Sequence, residues 1–167
     1  MKPLSDTQPH GHLALQPHER SLIGMWLRLA KCYNLALRDV RASLRDACTL
    51  PQFDVLSQLK RSDERGLTFS ELSRLLLVTA GNLTGIIDRL EEQGLVRRET
   101  NPEDRRETFI KLTEKGRDYA TEIIPKHERD LVKIFSGLKP EIVDQLRSGL
   151  AELRKHLDAH GRHGSDE

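Results

Sequence analysis

The 167-residue chain carries 27 Lys+Arg against 26 Asp+Glu, a formal net charge of +1. This excludes a uniformly basic coat, so any nucleic-acid binding must come from local segregation of charge. With 37% hydrophobic and 32% charged residues the chain is too rich in apolar residues to be disordered. It has no uninterrupted apolar run near the roughly 18 residues of a membrane span.

Two cysteines, Cys32 and Cys48, are too few for a disulfide framework, which predicts a reduced, cytoplasmic protein. Residues 1–17 hold three prolines and two histidines around no apolar core. They read as a flexible arm and not as a secretory signal. From about 18 to 45 the residues Leu22, Met25, Trp26, Leu29, Tyr33, Leu37, Val40 and Leu44 recur at gaps of three and four. That stripe predicts a helix roughly 40 Å long, more apolar face than a small monomer covers by itself. Pro51 opens a shorter helix to about Arg61, with Phe53, Leu56 and Leu59 inward.

Thr68 and Glu71 form a capping box for a helix from Phe69 to about Leu76. The segment Leu77-Val78-Thr79 breaks the pattern, and Thr79 caps the next helix, which Gly94 stops after Gln93. Two short helices around a tight break predict a helix-turn-helix. The period then changes to two, with strands at 95–99 and 108–112 joined by a polar turn. Thr113 caps a further helix that Pro125 is expected to kink or interrupt before it resumes to Phe135. The last helix, about 141–160, spaces Ile142, Leu146, Leu150, Leu153 and Leu157 like a coiled-coil seam, and residues 161–167 read as a frayed tail.

The helix after Thr79 has two faces. Leu83, Ile86, Ile87 and Leu90 turn inward, leaving Ala80, Gly81, Asn82, Thr84, Gly85, Asp88 and Arg89 outside. Small residues near the N-terminal end, with a few hydrogen-bonding groups, suit entry into a major groove. A solvated amphipathic helix whose glycines serve tight packing is the competing account. The hairpin adds Arg97, Arg98, Arg105, Arg106 and Lys111, and an arginine-tipped hairpin suits the negative potential of a minor groove. Asp104 is placed to hold that loop, or one of its arginines. The candidate DNA-binding set is therefore Thr79, Gly81, Asn82, Thr84, Gly85 and Arg89 on the helix, with Arg98, Asp104, Arg105 and Arg106 on the hairpin.

Residues 68–116 resemble the winged helix-turn-helix of the MarR family of bacterial transcription regulators. The residues that carry the likeness are Val78-Thr79, Leu83-Thr84-Gly85-Ile86-Ile87-Asp88-Arg89-Leu90-Glu91 and Gly94-Leu95-Val96-Arg97-Arg98. Asp104-Arg105-Arg106 follows, with Ile110-Lys111-Leu112-Thr113 and Glu114-Lys115-Gly116. Gly81 and Gly85 stand where many relatives carry larger polar residues. The resemblance implies a mainly α fold with a small β-hairpin wing, in one domain over 18–160. Its winged helix would occupy about 50–116, between dimerisation helices at about 18–46 and 117–160. It further implies a homodimeric repressor on a pseudo-palindromic operator in double-stranded DNA. The stretches Leu50-Pro51-Gln52-Phe53-Asp54-Val55-Leu56 and Leu77-Val78-Thr79-Ala80-Gly81-Asn82-Leu83-Thr84 resemble the branch of the family that controls aromatic-acid degradation, which implies a role in aromatic-compound metabolism. The effector it implies is a small aromatic acid or its coenzyme A thioester, with no cofactor.

Trp26, Tyr33 and Phe53 are candidates for the walls of an effector pocket, and Arg28, Arg38, Arg41 and Arg45 for receiving phosphates. Ordinary core packing and a solvated face are the competing accounts of these two sets. A peroxide or thiol switch through Cys32 is the alternative regulation, and a winged helix used only for protein interaction is the alternative function. Arginines at the wing tip argue against the latter. His156 and His160 have a helical metal spacing, with His163 behind, but lack Cys or carboxylate partners, so no metal site is expected. The chain shows no phosphate loop, nucleophile elbow or metalloprotease motif, which predicts a non-enzyme.

Overall fold

A computed structural model describes residues 15–62, 64–76, 79–101, 104 and 106–161. The described residues divide into two compact units between Asp39 and Val40. Helix α1 (Pro17–Leu44) is followed by α2 (Leu50–Arg61), β1 (Leu67–Thr68), α3 (Phe69–Leu76) and α4 (Ala80–Glu92). The strands β2 (Val96–Thr100) and β3 (Thr108–Leu112) precede α5 (Glu114–Phe135) and α6 (Pro140–Gly161). The architecture is mainly helical with a small antiparallel sheet.

Side-chain caps set most of the helix starts. Thr49 and Gln52 make a reciprocal capping box at α2, a signal in the sequence that the proline reading passed over. At α3 the Thr68 N–H donates to Glu71 Oε2 at 2.8 Å and the Glu71 N–H donates to Thr68 Oγ1 at 3.2 Å. Thr79 caps α4 and Thr113 caps α5, each accepting from the N–H three residues on. Gly94, at φ 69°, takes the left-handed turn that ends α4 and launches β2.

The expected two-stranded hairpin is a three-stranded sheet in the order β1-β3-β2. The added strand is two residues long, with Leu67 opposite Ile110 and Thr68 opposite Phe109. Strand pairing this short leaves no period in the sequence to read. In the hairpin Arg97 faces Lys111 and Glu99 faces Phe109. Of the kink or interruption expected at Pro125, the interruption does not occur, and α5 runs through it. Pro125 is exposed, so water can serve the carbonyl that loses its helical donor.

The core lies within the second unit. Phe53, Val55, Leu56 and Leu59 of α2 pack with Leu72, with Leu83, Ile87 and Leu90, and with Val96, Ile110, Leu112, Ala120 and Ile123. The inward set expected for α2 and α4 is thus buried, apart from Ile86, which packs at the edge of the cluster. By contrast, none of the described residues of α6 is buried. No described helix is long and apolar enough to cross a membrane.

Candidate nucleic-acid interface

Helix α4 is anchored by one face and open on the other. Leu83, Ile87 and Leu90 are fully buried, whereas Gly81, Asn82, Thr84 and Arg89 are exposed and Gly85 and Asp88 half-buried. Thr79 fixes the start of the helix, its carbonyl accepting from the Leu83 N–H at 3.0 Å and its hydroxyl from the Asn82 N–H at 3.4 Å.

The two glycines separate the rival accounts of this helix. A Cβ built on Gly81 or Gly85 meets nothing within 4 Å. Packing inside the chain therefore does not require glycine at either place, although each costs a helix about 1 kcal/mol relative to alanine. The tight-packing account fails on this geometry. A smooth exposed surface at the N-terminal half of α4 is what remains.

Arg98 ties the wing to that helix. Its Nη2 donates to Asp88 Oδ1 at 2.5 Å, and its Nη1 pairs with Glu91. The Arg98 backbone N–H also donates to Glu91 Oε1 at 3.2 Å, and the guanidinium lies 5.7 Å from the Phe69 ring centroid. Asp88 foremost holds the guanidinium above its ordinary pKa. Arg98 is thus committed to α4 and α3 within the chain. Glu91 and Phe69 had no assigned role in the sequence. The signal was an acidic pair three apart on α4, next in the chain to a strand with two arginines.

The tip of the wing is held by Asp104, whose Oδ1 accepts from the Arg106 N–H at 2.9 Å and whose carbonyl accepts from the Glu107 N–H at 2.9 Å. These two bonds hold the loop. Arg106 is exposed, and it borders a cleft of about 250 Å³ with Arg98, Phe69 and Ser70. Arg105 lies outside the described residues, as do Leu77 and Val78 of the break and most of the terminal arm and tail.

The candidates for regulation belong to different units. Trp26 and Tyr33 are 61% and 63% exposed on the first unit, while Phe53 is buried in the second, 4.3 Å from the His127 ring. Arg38 pairs with Asp39 at 2.8 Å. Arg41 and Arg45 line a cleft of about 480 Å³ with Cys48, Leu50 and Pro51. Cys32 is exposed. Burial pushes the Cys48 thiol up, away from the reactive thiolate, against a bond with Tyr119. His156 and His160 sit edge to face at 4.4 Å, and no group of three metal-ligating side chains occurs among the described residues.

Residues 49–107, which span α2, α3, α4 and β2 and end just before β3, match the MarR family model. In sequence this segment is similar to that family's winged helix. The chain is 43% identical to the Bacillus subtilis HTH-type transcriptional regulator YkoM over 91 residues. That alignment covers 54% of this chain and 56% of YkoM, less than two thirds of its length. Among solved structures, the MarR-family regulator AbsC of Streptomyces coelicolor superposes with a TM-score of 0.75 at 26% identity, over 87% of this chain and 97% of AbsC. Sco3205, a MarR-family regulator of the same organism solved in complex with DNA, gives 0.74 at 27% identity, over 86% and 90%.

Proposed function

We infer that the chain is a homodimeric DNA-binding transcription regulator, a repressor that occupies a pseudo-palindromic operator. The observation that carries this reading is the exposed face of α4, where two glycines that no internal packing requires leave room for a close partner beside Asn82, Thr84 and Arg89. A helix entering a major groove needs this combination of clearance and reach. Arg106 enters the adjacent minor groove, and Arg98, engaged with Asp88 and Glu91, positions the wing that carries it.

The homodimer draws support from α6. Ile142, Leu146, Leu150 and Leu157 are 42–58% exposed at seam spacing, an apolar stripe that a second copy would cover. Two-fold symmetry then presents two recognition helices to half-sites roughly 10 bp apart. The effector is an aromatic acid or its coenzyme A thioester. Apolar Leu50 and Pro51 beside Arg41 and Arg45 offer a ring wall and phosphate partners in one cleft. Such an effector must prefer the geometry that cannot hold DNA.

The test is fluorescence anisotropy on the intergenic DNA upstream of the gene, against scrambled DNA, with and without hydroxycinnamic acids and their thioesters. The reading predicts sequence-dependent binding released by one of these compounds. No preference over scrambled DNA would promote the protein-interaction module. Preference that peroxide relieves and no acid does would move regulation to Cys32.

A further inference from the structure

A second charged feature lies on the sheet face turned away from α4. Consecutive strand residues point to opposite faces. Because Arg98 reaches α4, Arg97 and its cross-strand neighbour Lys111 project the other way. They border a cleft of about 650 Å³ whose rim also holds Lys60 from the end of α2 and Arg117 from the first turn of α5. Four cations thus face one concavity floored by Leu59 and Leu112.

Partners among the described residues do not neutralise them. Glu99 is shared, accepting from Lys111 Nζ at 2.9 Å and from Arg97 Nη2 at 3.2 Å. Those two cations, Lys111 foremost, hold its carboxyl below the usual range. Lys60 donates to a neutral acceptor, Thr121 Oγ1, at 2.8 Å. Arg117 sits at the positive end of α5, where a cation is unfavourable for the helix. Among the described residues, with Glu64 on the rim and Glu99 beside it set against the four cations, the cleft keeps an excess of positive charge.

We propose that this cleft behind the wing binds a small molecule bearing several phosphates. The cluster of cations supplies the charge, the concavity admits a compact ligand, and the thin apolar floor favours phosphate oxygens over a large aromatic group. A DNA backbone is the weaker match, because a duplex engaged by α4 lies on the other side of the sheet. The ligand competes with Glu99 for Arg97 and Lys111, the pair that joins the two wing strands. The site does not depend on the reading of α4.

The experiment is calorimetric titration of the full chain with inorganic triphosphate, without divalent cations, against sulfate at equal ionic strength. Saturable binding below about 1 mM is expected for triphosphate alone. Arg117→Gln and Lys60→Gln should each weaken it about tenfold. Glu99→Gln, which removes the competing carboxylate, should tighten it about fivefold. Thermal unfolding of each variant checks that it folds. Absence of saturation overturns the proposal, as does binding that none of the three variants moves. If triphosphate fails to bind while Lys60→Gln and Arg117→Gln lower affinity for duplexes of any sequence, the cations serve a DNA backbone and the proposal falls.

Discussion

Arg98 on β2 donates to Asp88 on α4 at 2.5 Å, and the same guanidinium also pairs with Glu91 one turn further along. One side chain therefore fixes the wing strand against the helix that presents Asn82 and Thr84. The side chains are partly exposed, so the network is worth only about 1 kcal/mol of stability. Its contribution lies in geometry. Arg98→Ala is expected to lower melting temperature by a few degrees while reducing specific DNA affinity about tenfold or more. Asp88→Asn should follow it in direction. Equal losses on specific and scrambled duplexes would instead identify Arg98 as a plain phosphate contact.

Gly81→Ala and Gly85→Ala are expected to move stability and binding in opposite directions. Each replacement has open space for its methyl and should stabilise the protein by about 0.5–1 kcal/mol in urea unfolding. Each should weaken specific DNA binding if the proposed interface holds, because the added carbon stands on the exposed face of α4. Stabilisation with unchanged affinity would remove α4 from the interface.

The parts of this structure readable in the sequence are those set by short-range chemistry. Thr68 with Glu71, Thr79 and Thr113 announce their helices because a capping bond joins residues three apart. The helix α6 is readable for the same reason, since its apolar spacing repeats. What escaped depends on partners distant in the chain. β1 exists only because β3 lies beside it, and the engagement of Arg98 depends on how α4 sits against β2. Pro125 does not end α5, because its exposed position lets water serve the carbonyl that loses its helical donor. The glycines of α4 are visible in the sequence, but that no packing inside the chain requires them depends on what lies around them in the fold.

Gly116 is constrained as firmly as Gly81 is free. A Cβ at Gly116 would lie 1.9 Å from the Leu95 carbonyl oxygen, a backbone atom with little room to yield. That carbonyl also accepts from the Thr113 N–H at 3.1 Å, so moving it disturbs the start of α5. Gly116→Ala should cost about 3 kcal/mol in urea unfolding. A loss below about 0.5 kcal/mol would mean that the turn between β3 and α5 is looser than described.

His127 gives stability a pH dependence. Burial holds its imidazole below the ordinary value, with Asp130 and Glu128 pulling the other way. The unfolded chain therefore takes up this proton at higher pH than the folded one. Stability is full above the ordinary histidine value of about 6.5 and is lost as pH falls below it. Phe53, 4.3 Å from the ring, and Ser43, 3.4 Å from Nδ1, offer no negative charge to a protonated imidazole. His127→Gln should flatten the fall in stability between pH 7.5 and 5.5. An unchanged slope would assign it to other groups.

The most direct test of the DNA reading compares affinities for a duplex selected from a randomised pool and for its scrambled counterpart at one fixed salt concentration, for wild type and Arg106→Ala. The account predicts a preference of about 10³ or more for the selected sequence in wild type. It predicts that much of this preference is lost in Arg106→Ala. Equal affinity of wild type for both duplexes would contradict sequence-specific recognition by α4 and the wing.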